Sequence, residues 1–135
     1  MDRLFLDANV LFSAAYRPNA GLLRLWRLKN ALLCSSRYAL EEARINLADE
    51  GQHARLTALS GLIHLFEAGP GPLPRAISLP EKDAPILPAA LAAHATHLLT
   101  GDVRHFGSYF GKKIDGIAIV LPGECLRLRA LQAPD

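Results

Sequence analysis

Four carboxylates stand where a parallel β-sheet would bring them together. Asp7 directly follows one apolar predicted strand, and Asp102 stands at the end of another. Asp83 falls at the start of a predicted helix, and Glu42 lies on a helix that follows a third predicted strand. Strand ends and the helix starts after them share one edge of a parallel sheet. We therefore expect these four side chains to converge.

A converging group of acids indicates a divalent cation. Close carboxylates repel one another, and a bound cation removes that penalty. The two cysteines, Cys34 and Cys125, lie far apart and form no CxxC pair, which argues against a zinc site. Oxygen ligands suit Mg²⁺ or Mn²⁺, and these ions activate water and stabilise charge in phosphodiester hydrolysis.

Each acid also has a purely structural interpretation. Asp7 could cap a helix over residues 8–14, and Asp83 could likewise serve only as an N-cap. Glu42 could be a solvated helix position, with Glu41 beside it on the other face, and Asp102 could be a turn residue. Taken together these interpretations need four coincidences at one edge of the sheet, so we favour a shared site.

The elements that must position these acids alternate along the chain. Strands are predicted over residues 3–6, 31–34, 76–79, 95–100 and 116–121. Helices are predicted over 8–16, 22–29, 36–51, 53–68 and 84–94, and a last helix from 122. This alternation predicts a three-layer α/β/α sandwich with a central, mostly parallel sheet.

Length and composition agree with one domain over residues 1–135. The formal net charge of +2 is too small to indicate a strong polyanion-binding surface. No apolar run approaches the length of a membrane span, and no signal peptide is evident, so we expect a cytoplasmic protein without membrane association. The two cysteines are expected to be reduced core thiols.

Several segments then carry a resemblance to a known family. They are FLDANVL at 5–11, ALEEAR at 39–44, DAPIL at 83–87, LTGDVRHF at 99–106 and GIAIVLPGECL at 116–126. These segments resemble the PIN-domain family, and the match covers nearly the whole chain. The resemblance implies a Mg²⁺- or Mn²⁺-dependent ribonuclease, as in many VapC-type toxins and RNA-processing enzymes. It also implies a homodimer and, for a toxin, an antitoxin partner.

The resemblance assigns roles to particular residues. It implies that Asp7, Glu42, Asp83 and Asp102 bind the metal, and that Asn9 and Thr100 support the site. Many family members carry a further acid where this chain has Arg104, which bears on whether one metal or two are held. A cation at that position could instead hold a phosphate.

Basic residues around the acids are candidates for holding an RNA strand: Arg17, Arg44, Arg104, Lys112 and Lys113. Two other functions stay open. The chain could be a catalytically silent PIN-fold interaction module. It could also be an acidic-pocket phosphotransfer protein, although the phosphatase pattern wants a second aspartate where this chain has Asn9.

Overall fold

One mixed sheet forms the centre of the protein. The computed structural model describes residues 1–67 and 86–132, with the backbone alone at 105, 131 and 132. The strands are β1 (Asp2–Leu6), β2 (Ala31–Ser35), β3 (His64–Leu65), β4 (His97–Leu99), β5 (Lys113–Ile114) and β6 (Ile117–Val120). They lie in the order β3-β2-β1-β4-β6-β5, and every pairing is parallel except that of β5 with β6.

Helices connect the strands. They are α1 (Ala8–Ala15), α2 (Arg37–Asn46), α3 (Glu50–Ser60), α4 (Ile86–Ala92), α5 (Val103–Phe106) and α6 (Pro122–Gln132). Two 3₁₀ helices add to them, over Gly21–Arg27 and Gly107–Tyr109. Among the described residues, no helix combines the length and the apolar character that crossing a bilayer requires.

The central strand β1 is covered on both faces. Leu4, Phe5 and Leu6 are consecutive, so their side chains alternate between faces, and all three are fully buried. Helix α1 packs against α2 and α3, which form a layer with it. Connections between parallel strands are right-handed, so two connections that cross the sheet in opposite directions lie on opposite faces of it. The predicted three-layer α/β/α sandwich is confirmed.

The order of the strands changes direction at β1. The chain first moves from β1 to β2 and β3 on one side. It then returns to place β4 on the other side of β1, with Phe5 opposite Leu98 and Leu6 opposite Leu99. In open parallel sheets such a reversal leaves a crevice outside the carboxyl ends of the two strands. Asp7 and Thr100 directly follow those two strands.

Two predicted helix boundaries are wrong. The helix predicted over 36–51 ends at Asn46, because Asp49 starts α3 with a capping box in which Asp49 and Gln52 bond each other's backbone N–H groups. The helix predicted over 53–68 ends at Ser60 with Gly61 as its C-cap. The following residues form β3, which pairs with β2 at one edge of the sheet.

Strand β5 lies outside all of the predicted strands. Asp115 and Gly116 both have positive φ, at 49° and 84°, and they join β5 to β6 as a two-residue hairpin. The segment 22–29 is helical, but as a 3₁₀ helix over Gly21–Arg27. The predicted strand at 76–79 and the predicted first residues of the helix at 84 lie outside the described residues.

Both cysteines belong to the core. Cys34 and Cys125 are free and buried, as predicted. Burial raises the pKa of each thiol above its ordinary value. The thiolate is the reactive form of cysteine, so burial lowers the reactivity of both side chains.

Candidate active site at the carboxyl edge of the sheet

Asp7 is a buried carboxylate held at the point where β1 passes into α1. Its side chain is only 3% exposed. Its backbone N–H donates to the Leu99 carbonyl at 3.0 Å and so continues the pairing of β1 with β4. One carboxylate oxygen accepts from the Ala8 N–H at 2.7 Å, and the other accepts from the Thr100 hydroxyl at 2.8 Å. Asp7 therefore caps α1 and also faces the crevice between the two strands.

Asn9 links the segments that follow β1 and β4. Its Nδ2 donates to the Asp7 carboxylate at 3.3 Å and to the Thr100 hydroxyl oxygen at 3.2 Å. Its Oδ1 accepts from the Gly101 N–H at 2.7 Å. A Cβ atom at position 101 would lie 3.3 Å from that same oxygen, so the close approach favours glycine. One carboxamide thus fixes three neighbours.

Thr100 is the fully buried centre of this network. Its hydroxyl donates to Asp7 and accepts from the Asp102 N–H at 3.1 Å. The hydroxyl therefore ties the backbone of one predicted acid to the carboxylate of another. Asn9 and Thr100 both bond to Asp7, and their supporting role toward a metal stays a prediction.

Three of the four predicted acids line one cavity of about 460 Å³. Asp7 lies beside β4, Asp102 follows β4, and Glu42 projects from α2. The fourth predicted acid, Asp83, lies outside the described residues. Among the described residues that line this acidic cavity, none is a lysine or an arginine. The cavity therefore concentrates negative charge from three separate segments of the chain.

Local capping and packing orient Glu42. Ser36 caps α2 by accepting from the Ala39 N–H, and Ala39 and Ala43 bury one face of the helix. Glu41 lies on the outer face, where Arg44 donates to its carboxylate at 2.8 Å. That bond with Arg44 lowers the pKa of the Glu41 carboxyl. The prediction that Glu41 and Glu42 face different ways is confirmed by their surroundings.

Among the lining residues that were not predicted, Phe12 and Asn46 have the largest side chains. Asn46 follows Glu42 by four positions, a spacing that places both on one face of a helix. Its Nδ2 donates to the Glu42 carbonyl at 2.8 Å. The helical spacing from Glu42 was the signal that could have found Asn46.

The predicted RNA-binding cations lie outside the acidic cavity. Arg104, Lys112 and Lys113 are exposed, and none of them lines it. Arg44 is engaged with Glu41 on the outer face of α2. Arg17 lines a separate, neighbouring cavity. Their contact with RNA stays a prediction.

The cavity is lined by carboxylate and carboxamide oxygens, which are the ligands that a hard divalent cation such as Mg²⁺ prefers. No histidine or cysteine of the described residues lines it. Within residues 1–67 and 86–132, however, no three His, Cys, Asp or Glu side chains form a group that could hold a metal ion. The metal site stays a prediction that includes Asp83.

Comparison with known proteins identifies no family for this chain. Neither a scan against protein-family models nor a search of curated proteins finds a match to the chain. The resemblance to the PIN-domain family therefore stays a prediction from the motifs, and the function has to be argued from the site itself.

Proposed function

We propose that this protein is a metal-dependent endoribonuclease that hydrolyses phosphodiester bonds in RNA. One observation carries the proposal: Asp7, Glu42 and Asp102 come from three distant segments and line one cavity. That cavity lies where the strand order reverses, which is the usual position of a ligand site in this architecture. A stability role alone gives no reason to gather like charges there.

In this proposal Asp7, Glu42, Asp83 and Asp102 hold Mg²⁺ or Mn²⁺. When bound, such an ion supplies an activated water and stabilises charge on the leaving oxygen. The chain's own contribution is orientation. Thr100 and Asn9 both donate to the same oxygen of Asp7, which fixes the direction in which that carboxylate presents its lone pairs.

The exposed cations fit a supporting role toward the RNA backbone. Arg104 follows Asp102 by two positions on the short helix α5, and Lys112 and Lys113 lead into the edge strand β5. Phosphate contacts of this kind position a strand without reading its bases. We propose that these residues hold phosphates beside the acidic cavity rather than within it.

Replacing Asp7 with Asn tests the proposal most directly. The amide preserves shape but removes the charge, so Mn²⁺-dependent cleavage of a single-stranded RNA should fall about 1000-fold, since several kcal/mol of charge stabilisation is lost. The variant's circular dichroism spectrum should match that of the wild type. Full activity in the folded variant would overturn the assignment.

Two adjacent glutamates provide a matched control. Glu42→Gln removes a carboxylate that lines the cavity, and Glu41→Gln removes one that faces solvent. We expect a loss of cleavage of at least about tenfold in the first and none in the second. Equal activity in both would show that the acidic cavity is not the reaction centre.

The alternatives make different predictions in the same assays. A silent interaction module with this fold would bind no Mn²⁺ by isothermal titration calorimetry and cleave no RNA. A phosphotransfer protein would form a stable acyl-phosphate on Asp7 when incubated with acetyl phosphate. The toxin role, the antitoxin, the homodimer and the cytoplasmic location stay predictions from the resemblance and the sequence.

A further inference from the structure

A second, larger cavity of about 840 Å³ lies beside the acidic one. It is bounded by α1, by the 3₁₀ helix Gly21–Arg27 and by α6. Phe12 lines both cavities and so forms part of the wall between them. The two cavities therefore adjoin each other at Phe12.

The wall of the second cavity presents an aromatic surface. The rings of Phe12 and Tyr16 are 5.4 Å apart and inclined at 38°. Tyr16 is 54% exposed, yet its backbone is held, because Gln52 and Arg55 both donate to its carbonyl, at 3.2 and 3.1 Å. Unpaired bases stack on exposed aromatic rings of this kind whatever their identity.

The charges around the second cavity are positive. Arg17 and Arg24 line it and are exposed, and neither makes an ion pair with any residue in the described part of the chain. Arg127 also lines it but is engaged by Glu124. No aspartate or glutamate of the described residues lines this cavity. The two neighbouring cavities therefore carry side chains of opposite charge.

We infer that the second cavity is a subsite for unpaired nucleotides of the RNA strand, next to the bond that is cleaved. Tyr16 stacks a base, and Arg17 and Arg24 contact the phosphates that flank it. The inference rests on the proposed nuclease function and extends it to the substrate. It predicts a preference for single-stranded over duplex RNA, because only unstacked bases can reach the ring of Tyr16.

The charge distribution favours RNA over a second copy of the chain as the occupant. In a two-fold symmetric dimer through this surface, the same patch lies on both sides of the interface, so Arg17 and Arg24 would meet a surface that carries the same positive charges. Juxtaposed like charges oppose such a contact. A polyanion satisfies the same guanidinium groups directly.

The test measures binding of fluorescein-labelled oligouridylate by fluorescence anisotropy in EDTA, where metal-dependent cleavage cannot occur. Tyr16→Ala should weaken binding about tenfold, whereas Tyr16→Phe, which keeps the ring, should bind like the wild type. Arg24→Gln should reduce the slope of log K against log salt by about 0.7, the value for one lost phosphate contact on a single strand.

Lys29→Gln is the charge control, since Lys29 is exposed and lines neither cavity. It should leave affinity within about twofold and the salt slope unchanged. Unchanged binding by Tyr16→Ala and Arg24→Gln would overturn the subsite but not the nuclease, which depends on the Asp7→Asn result. Self-association of the wild type that Tyr16→Ala abolishes, measured by sedimentation velocity, would show a protein interface instead and also overturn it.

Discussion

Carboxylates at the two ends of the central strands β1 and β4 have different bonding partners. At the amino end, Asp2 is paired with Arg129, and Arg3 donates to the Ala93 carbonyl at 2.7 Å. At the carboxyl end, neutral donors, Thr100 and Asn9, hold Asp7 in place. The amino end neutralises a carboxylate within the chain, whereas the carboxyl end orients one toward a cavity.

Under the proposed function, this contrast separates an end that stabilises the fold from an end that binds a ligand. An ion pair within the chain is complete once the protein has folded. Three carboxylates line one cavity at the carboxyl end, and like charges that lie close together disfavour one another unless a positive group offsets them. The following predictions alter one end or the other, from the largest expected effect to the smallest.

Thr100→Val should produce the largest change among them. The substitution keeps the shape but deletes a buried hydroxyl, so Asp7 loses a donor and the Asp102 N–H loses an acceptor. We expect the free energy of unfolding to fall by about 1–3 kcal/mol, together with a loss of RNA cleavage. Urea denaturation and a cleavage assay measure the two effects.

Thr57→Val is the matched control for that variant. The Thr57 hydroxyl donates to the His53 carbonyl on the exposed face of α3, at 3.0 Å. We expect a change in unfolding free energy within about 0.5 kcal/mol and unaltered cleavage. Similar losses in both variants would mean that the network around Thr100 has no special importance.

Asn9→Asp should make the stability of the protein depend more strongly on a bound cation. The new carboxylate oxygen would lie near the Asp7 carboxylate, to which the Asn9 amide now donates at 3.3 Å. Repulsion on the order of 1 kcal/mol should lower the melting temperature without metal, and saturating Mn²⁺ should restore most of it.

Differential scanning calorimetry with and without Mn²⁺ measures this coupling. Asn19→Asp, at an exposed position away from the acidic cavity, is the control and should respond equally in both buffers. If Mn²⁺ fails to stabilise either the wild type or Asn9→Asp, the acidic cavity does not bind that cation.

His97 should give the smallest effect, at the amino end. Burial lowers the pKa of its imidazole below the ordinary value of 6.5, and Arg129 and Lys113 add to the lowering while Asp2 opposes it. Because the folded protein disfavours the protonated ring, the contribution of His97 to stability is complete above about pH 6.5 and is lost as pH falls below it.

The measurement compares urea denaturation at about pH 7.5 and about pH 5.5 for the wild type and His97→Gln. The drop in unfolding free energy at the lower pH should be smaller in the variant. His64→Gln, at an exposed position on β3, should retain the wild-type drop. An equal drop in all three proteins would contradict a role for His97.

The buried strands and the residues at their ends were predictable from the sequence. The run Leu4–Leu6 is apolar at every position, which is typical of a strand covered on both faces, and Asp7 marks its end. The same reasoning located β4 and Asp102. These predictions succeeded because burial of a parallel strand leaves a strong signal in consecutive residues.

The edges of the sheet were less predictable. Strand β3 has only two residues, both exposed, and Leu62 before it is 70% exposed although its spacing continued the helical pattern. The hairpin before β6 did carry a signal, since Asp115-Gly116 between two isoleucines is a typical two-residue turn. Short edge strands depend on pairing with a neighbour, which hydrophobic periodicity does not report.

The network around Thr100 also constrains when the site can exist. The hydrogen bond between Thr100 and Asp7 joins residues 93 positions apart in the chain. A contact this distant in sequence requires the closing of a long loop. During synthesis, the segment after β4 must leave the ribosome before the Asp7 carboxylate can be oriented. If the protein cleaves RNA, its nascent chain is therefore inert beside the ribosomal RNA until most of the domain has emerged.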